Sequence, residues 1–190
     1  MTSEELLAQY NAGERYFKDL DLSGIDLKGL QLDEIDFLDV NLQGADFSGA
    51  SLTFAGFSYC NLTNAKFHGA EMMAVSMLKV DSTEADFSKA KLEMSRMHYV
   101  NLTGANFSAA YLGNSRIKLC DFTNANMVEA DLGSAEFSEQ TKFIGANLTR
   151  ADLICTRLND SDLTDAILTD ALFTDDYLRG TLPLGSKSPS

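Results

Sequence analysis

The chain has 190 residues, of which 28 are acidic and 15 are basic, so its formal charge is −13. With 45% apolar residues and only two prolines, its composition excludes a disordered chain and a collagen-like one. No apolar run is long enough to cross a bilayer, and the negative charge opposes contacts with phosphates, so we expect neither a membrane nor a nucleic acid as a direct partner.

The first predicted element is a short amphipathic helix and link within residues 1–15, which we expect to cover one open end of the domain. Residues 2–5 fit a capping box, and Leu6, Leu7 and Tyr10 fall on one helical face. Gly13 is a typical stop signal. No basic region followed by an apolar stretch is present, so we expect no secretory signal and a cytoplasmic protein.

An internal repeat of five residues follows this helix. Stepping by five from Phe17 to Phe137, and again from Phe143 to Leu178, visits 33 positions, which we call centres; 32 of them hold Leu, Phe, Met or Ile. One extra residue near Gln140 separates the two series. The residue two before the centre is Ala, Ser, Thr or Cys in 23 of the 33 cases.

A period of five fits neither a helix, which repeats every 3.6 residues, nor a strand, which alternates every two. It predicts a chain that turns the same corner every five residues, with the centre and the small residue two before it pointing inward. Four such sides close a square coil, and successive coils stack about 4.8 Å apart. The sequence therefore predicts an all-β solenoid of little more than eight coils, roughly 40 Å long.

The repeat resembles the pentapeptide-repeat family, whose consensus reads Ala-(Asp/Asn)-Leu-x-x. Matching segments are Ala65-Lys-Phe-His-Gly69, Ala130-Asp-Leu-Gly-Ser134 and Ala151-Asp-Leu-Ile-Cys155. The resemblance covers about residues 15 to 179 and implies a right-handed quadrilateral β-helix, and such proteins abound in cyanobacteria. We assign residues 16–180 to the β-helix and 181–190 to a partly disordered tail, in which Leu182 and Leu184 could cap the last coil.

Because four sides make one coil, every fourth repeat stacks on the same face of the solenoid. This assigns each outward residue to one of four faces. Two neighbouring faces hold short polar side chains, such as Asn41 and Asn61, which we expect to form hydrogen-bonded ladders without a functional role. Outward positions of the middle coils on the other two faces hold types enriched in interface cores, although neutral drift in a tolerant rod is the alternative. The predicted partner-binding residues are Phe54, Tyr59, Met73, Met94, Arg96, His98, Tyr99, Tyr111, Arg116, Lys118 and Leu119.

Four smaller expectations concern exceptions to the repeat. Ser82 is the one polar centre, and we expect its buried hydroxyl to bond a nearby carbonyl. The extra residue near Gln140 predicts a bulge at a corner. Cys60 and Cys120 fall at inward positions three coils apart, too far for a disulfide. Cys155 falls at an outward corner, where we expect the reactive thiol.

The sequence contains no phosphate-binding loop, no metal-ligand pair and no catalytic triad, and the two histidines fall on opposite faces. We therefore expect no enzyme activity, no cofactor and no bound metal. The preferred function is a protein-interaction or regulatory rod, a monomer or weak dimer, which binds an unidentified protein through the nonconsensus faces.

The alternative function is mimicry of duplex DNA, since the family that the repeat resembles includes members that protect DNA gyrase from quinolones. A mimic needs continuous negative charge, because duplex DNA carries one charge per about 1.7 Å. Here residues 1–52 hold 11 acidic and 3 basic residues, residues 53–119 hold 5 and 7, and residues 120–190 hold 12 and 5. This slightly basic middle favours the interaction rod over the mimic.

Overall fold

A computed structural model describes residues 1–174 and shows the stacked coils that the five-residue repeat predicts. The elements are α1 (Ser3–Asn11), β1 (Tyr16–Lys18), β2 (Asp36–Leu38), β3 (Gly56–Ser58), β4 (Ser76–Leu78), β5 (Arg96–His98), β6 (Arg116–Lys118), β7 (Glu136–Ser138), β8 (Asp152–Leu153) and β9 (Leu172–Phe173). Strands β1 to β7 form one parallel sheet in chain order, and β8 pairs with β9. The chain is a right-handed quadrilateral β-helix of about eight coils. The predicted C-terminal boundary at 180, the capping leucines and the tail lie outside the described residues.

Each coil has four faces, which we number in chain order from their centres at Leu22 (first), Leu27 (second), Leu32 (third) and Phe37 (fourth). Backbone groups bond to the next coil, as where the Leu42 N–H donates to the Asn61 carbonyl at 2.8 Å. Up to β7, the first three faces end in a tight turn, whereas the fourth consists of three-residue strands that stack into the long parallel sheet. In the last coils this changes, since β8 and β9 lie on the third face and the fourth face ends in a turn.

The core is built from the centres and the small residues that precede them. On the second face, the rings of Phe47 and Phe67 stack with centroids 4.9 Å apart, and Phe67 stacks on Phe87 at the same distance. Alanines such as Ala65 and Ala85 are fully buried beside them, whereas the first coil has the larger Ile25 at the same position. Stacking buries the centres that a single repeat would expose, except that Leu168 and Phe173 in the last described coil are only half-buried.

Helix α1 covers the first coil, as predicted. The Thr2 hydroxyl accepts from the Glu5 N–H at 3.2 Å, and the Glu5 carboxylate accepts from the Thr2 N–H at 2.8 Å, which completes the capping box. Leu6 is fully buried, and the Tyr10 hydroxyl donates to the Asp33 carbonyl at 2.9 Å. Within residues 1–174, no helix is both long and apolar enough to span a membrane.

Ser82 differs from the expectation of a hydrogen-bonded core serine. Its side chain is fully buried, but its hydroxyl has no hydrogen-bond partner within the described residues. Its column neighbours are the equally buried Leu62 and Leu102. Because both neighbours in this column are apolar, the hydroxyl lies in an apolar layer.

The extra residue forms the predicted corner bulge, where Glu139 and Gln140 both have positive φ, at 55° and 64°. The coil register across the bulge changes from 20 to 21 residues, as in the pairing of Asp121 with Lys142. It then returns to 20, where Lys142 pairs with Asp162. The bulge thus adds a residue to one corner without disturbing the stacked faces.

The three cysteines are free, as expected. Cys60 and Cys120 are buried at the corner between the fourth and first faces, and Cys155 is exposed at a corner of the third face. Burial raises the pKa of the Cys120 thiol to about 12, and it also raises the pKa of Cys60. Both buried thiols are therefore protonated near neutral pH.

Candidate functional site

The structure brings the predicted partner-binding residues together on two adjacent faces of the middle coils. The third face holds Phe54, Met73, Met94 and Tyr111, and the fourth holds Tyr59, Arg96, His98, Tyr99, Arg116, Lys118 and Leu119. All eleven point outward from the core. We call these residues the middle surface.

The most exposed part of the middle surface lies at the corners of the coils. Phe54 is 61% exposed, Met94 54%, Tyr99 49% and Tyr59 48%. Leu119 is half-buried and is therefore less exposed than the sequence predicts. His98 and Lys118 are half-buried as well. The corners therefore provide the large apolar contacts, and the strands between them provide the polar ones.

These corner residues adopt a backbone conformation that disfavours them. Phe54, Tyr59, Met94 and Tyr99 have φ between 56° and 60°, in the left-handed region. That region costs a non-glycine residue roughly 1–2 kcal/mol. The first and second faces place glycine at seven corners of this kind, whereas no third-face or fourth-face corner in the described range has glycine. The exposed aromatic and thioether side chains therefore occupy positions where glycine would adopt the backbone conformation at a lower energetic cost.

The fourth face of the middle coils is cationic in an otherwise acidic protein. Arg96 and Arg116 occupy the same position in adjacent strands and are paired in register. Lys118 binds the Glu139 carboxylate at 3.0 Å, and Lys79 lies over the Tyr59 ring at 5.2 Å from its centroid. The two arginines are therefore the least compensated charges on this face.

Two clefts flank the fourth face, and the sequence analysis did not predict either one. The first, at the corner with the first face, is lined by Tyr99, Leu119 and the inserted Gln140, among others. The second, at the corner with the third face, is lined by Arg116 and Arg157 among others. Only the break in the repeat at Gln140 could have indicated the first cleft.

The second cleft also contains Glu136 and the exposed Cys155. Glu136 follows Arg116 in register, but their charged groups do not form an ion pair in the structure. Across residues 1–174, no group of three or more His, Cys, Asp or Glu side chains is placed to hold a metal ion.

The first face forms the predicted ladder of short polar side chains. The Asn41 amide donates to Asp21 at 3.0 Å, and the Asn61 amide donates to Asn41 at 3.1 Å. At Asp121, partial burial alone would raise the pKa, but hydrogen bonds from Thr123 and Lys142 leave the pKa below its ordinary value. These polar groups are satisfied within the rod, in contrast to the arginines of the fourth face.

Comparison with known proteins identifies the repeat. Eight copies of the family described as pentapeptide repeats match the chain, over residues 21–53, 31–69, 45–81, 101–138 and 139–173. Residues 82–100, which include Met94, Arg96 and Tyr99, lie outside the matched ranges. Four of the eleven residues of the middle surface lie in this unmatched stretch, and the other seven lie within matched repeats.

Among solved structures, the chain is similar to HetL, a pentapeptide repeat protein involved in heterocyst differentiation regulation from the cyanobacterium Nostoc sp. strain PCC 7120. The identity is 22% over 98% of this chain and 99% of that chain, with a TM-score of 0.49. QnrB1, a plasmid-mediated fluoroquinolone resistance protein, is 23% identical over 85% of this chain and 83% of its own, with a TM-score of 0.47.

A pentapeptide repeat protein from the Arabidopsis thaliana thylakoid lumen is 31% identical over 70% of this chain and 72% of that chain, with a TM-score of 0.41. Curated protein sequences give no match. The repeats that match the family profile cover more than half of the residues, on the same coils that the structure shows. The chain belongs to the pentapeptide-repeat family.

Proposed function

We propose that this protein is a non-catalytic interaction or regulatory rod, which binds a partner protein through the middle surface. The observation that supports the proposal most strongly is the position of the exposed aromatic and thioether side chains. Each of four corners holds a bulky residue in the left-handed region, where glycine is preferred. Other corners of the same two faces, such as Asp39, Ala74 and Lys79, also have positive φ, so the large aromatic or thioether side chain is what distinguishes these four corners.

The composition of the middle surface also supports a protein partner. Tyrosine, methionine and arginine are enriched in the cores of protein interfaces, and binding energy concentrates in a few such residues. Tyr59, Tyr99 and Met94 are large and exposed, and they lie at corners directly beside the stacked strands of the fourth face. The parallel register of those strands fixes the spacing between corners of successive coils.

Site-specific photo-crosslinking in the organism that encodes the protein would test this function. A benzophenone amino acid replaces Tyr99 in one variant and Lys89 in a matched control, which is an exposed corner of the second face with φ of 58°. We expect a discrete crosslinked protein from position 99 and not from position 89. Equal crosslinking at both positions, or none at position 99, would overturn the proposal.

Mimicry of DNA remains the second candidate, because the two ends of the chain are strongly acidic. A mimic would present negative charge along its whole length, but outward fourth-face positions from 56 to 119 hold four basic residues and no acidic one. We therefore expect no inhibition of DNA gyrase in a supercoiling assay with stoichiometric protein. Strong inhibition that persists in Arg96→Ala and Tyr99→Ala variants would support the mimic instead.

A further inference from the structure

Two neighbouring arginines on the fourth face indicate the chemistry of the partner, provided that the proposed function holds. Arg96 and Arg116 lie in adjacent parallel strands in register, about 4.8 Å apart along the rod. Like charges directly opposite each other in a sheet destabilise it. Neither guanidinium forms a hydrogen bond or an ion pair within the described residues.

Most other cations of the rod are compensated, which makes this pair unusual. Lys28 and Lys66 share the Asp46 carboxylate at 3.1 and 3.6 Å, and Arg150 pairs with Glu129. The sequence has nearly twice as many acidic as basic residues, so partners for two arginines are plentiful. Glu136 follows Arg116 in register, but the two form no ion pair within residues 1–174, so both guanidiniums are available to a partner.

The groups around the two arginines define what could bind there. Guanidinium groups bind carboxylates through two parallel hydrogen bonds, and two neighbouring guanidiniums suit one or two carboxylates. Met94, which is largely exposed, precedes Arg96 at the corner of the third and fourth faces. Tyr99 lies at the opposite corner, where its ring stacks on His98 with centroids 4.3 Å apart.

We propose that Arg96 and Arg116 bind carboxylates of an acidic segment of the partner protein, while Met94 and Tyr99 contact apolar side chains beside them. Charge complementarity supports this occupant, since the fourth face has four cations and no acid over its middle coils. Nucleic acid is the less suitable occupant, because the acidic coils at both ends of the rod would repel a longer phosphate backbone.

Fluorescence anisotropy with a labelled Glu-Glu-Phe-Glu-Glu peptide tests the inference. The salt concentration is set near 0.1 M, where charges more than about 10 Å away are largely screened. We expect the double variant Arg96→Gln with Arg116→Gln to bind the peptide at least tenfold more weakly than the wild type. The double variant Lys66→Gln with Lys89→Gln has the same net charge and should bind within twofold of the wild type.

A charge reversal keeps the test independent of any loss of folding. The variant Arg96→Glu with Arg116→Glu should bind Lys-Lys-Phe-Lys-Lys better than the acidic peptide, opposite to the wild type. Failure of the wild type to bind the acidic peptide, equal weakening in the control variant, or tighter binding of a duplex DNA would overturn the inference. If a protein still crosslinks at Tyr99 in that case, the proposed function stands and only the acidic character of the partner is wrong.

Discussion

Replacement of Ser82 should stabilise the rod, which is an unusual expectation for a fully buried residue. The hydroxyl lies in an apolar layer without a hydrogen-bond partner, and a buried, unpaired polar group costs about 1–3 kcal/mol. Ser82→Ala removes that cost without adding volume, so the free energy of unfolding should rise by about 1 kcal/mol. Ser82→Leu restores the side chain found at Leu62 and Leu102, and each added methylene that fits contributes about 0.8 kcal/mol more.

Urea denaturation followed by circular dichroism measures these changes, with Ser115→Ala as the matched control. Ser115 is also buried, but its hydroxyl donates to the Leu92 carbonyl at 2.8 Å. The same substitution should therefore destabilise the protein there by about 1 kcal/mol. If Ser82→Ala lowers the unfolding free energy as Ser115→Ala does, the Ser82 hydroxyl is hydrogen-bonded and the reasoning is refuted.

Three further predictions follow from packing, thiol exposure and charge. Ala105→Leu should cost about 1–3 kcal/mol of stability through overpacking, and more than Leu78→Ala at a half-buried outward position; thermal unfolding of both variants compares them. Mild alkylation followed by peptide mass mapping should label Cys155 and leave the two buried cysteines unmodified. Asp121 has a folded pKa below its unfolded value, so its stabilising effect is present above the unfolded pKa, near 4, and is lost as the pH falls through the folded pKa. Asp121→Asn should therefore lower stability at pH 7 but not at pH 2, as measured by urea denaturation at both pH values.

The architecture could be predicted from the sequence because the solenoid repeats one local rule. A large apolar residue every five positions, with a small one two before it, determines which side chains point inward and where each corner falls. The bulge at Gln140 could also be predicted from the sequence, since the extra residue shifts the series of apolar centres by one position. The sequence did not show that the Ser82 hydroxyl lacks a partner within the described residues, because a hydrogen bond depends on the distance and direction of each nearby acceptor.

The middle surface could be located from the sequence, but its energetics could not. Stacking by coil placed Tyr59 and Tyr99 on the same corner, yet their left-handed backbone became evident only from the dihedral angles. Likewise, the sequence does not show that Lys118 has a partner in Glu139 while Arg96 forms no ion pair within residues 1–174. Such pairing depends on the positions of side-chain ends, which vary between residues that share one place in the repeat.

The bulge at Gln140 shows how this kind of molecule can change length during evolution. An extra residue at a corner shifts the register for one coil only, and the stacked columns continue beyond it. An extra residue in the middle of a side would instead turn every later centre away from the core. Duplication or loss of one whole coil keeps all columns aligned, so the rod can be extended or shortened in steps of about 4.8 Å. The spacing between the middle surface and either end of the rod is therefore free to vary without any redesign of the binding residues.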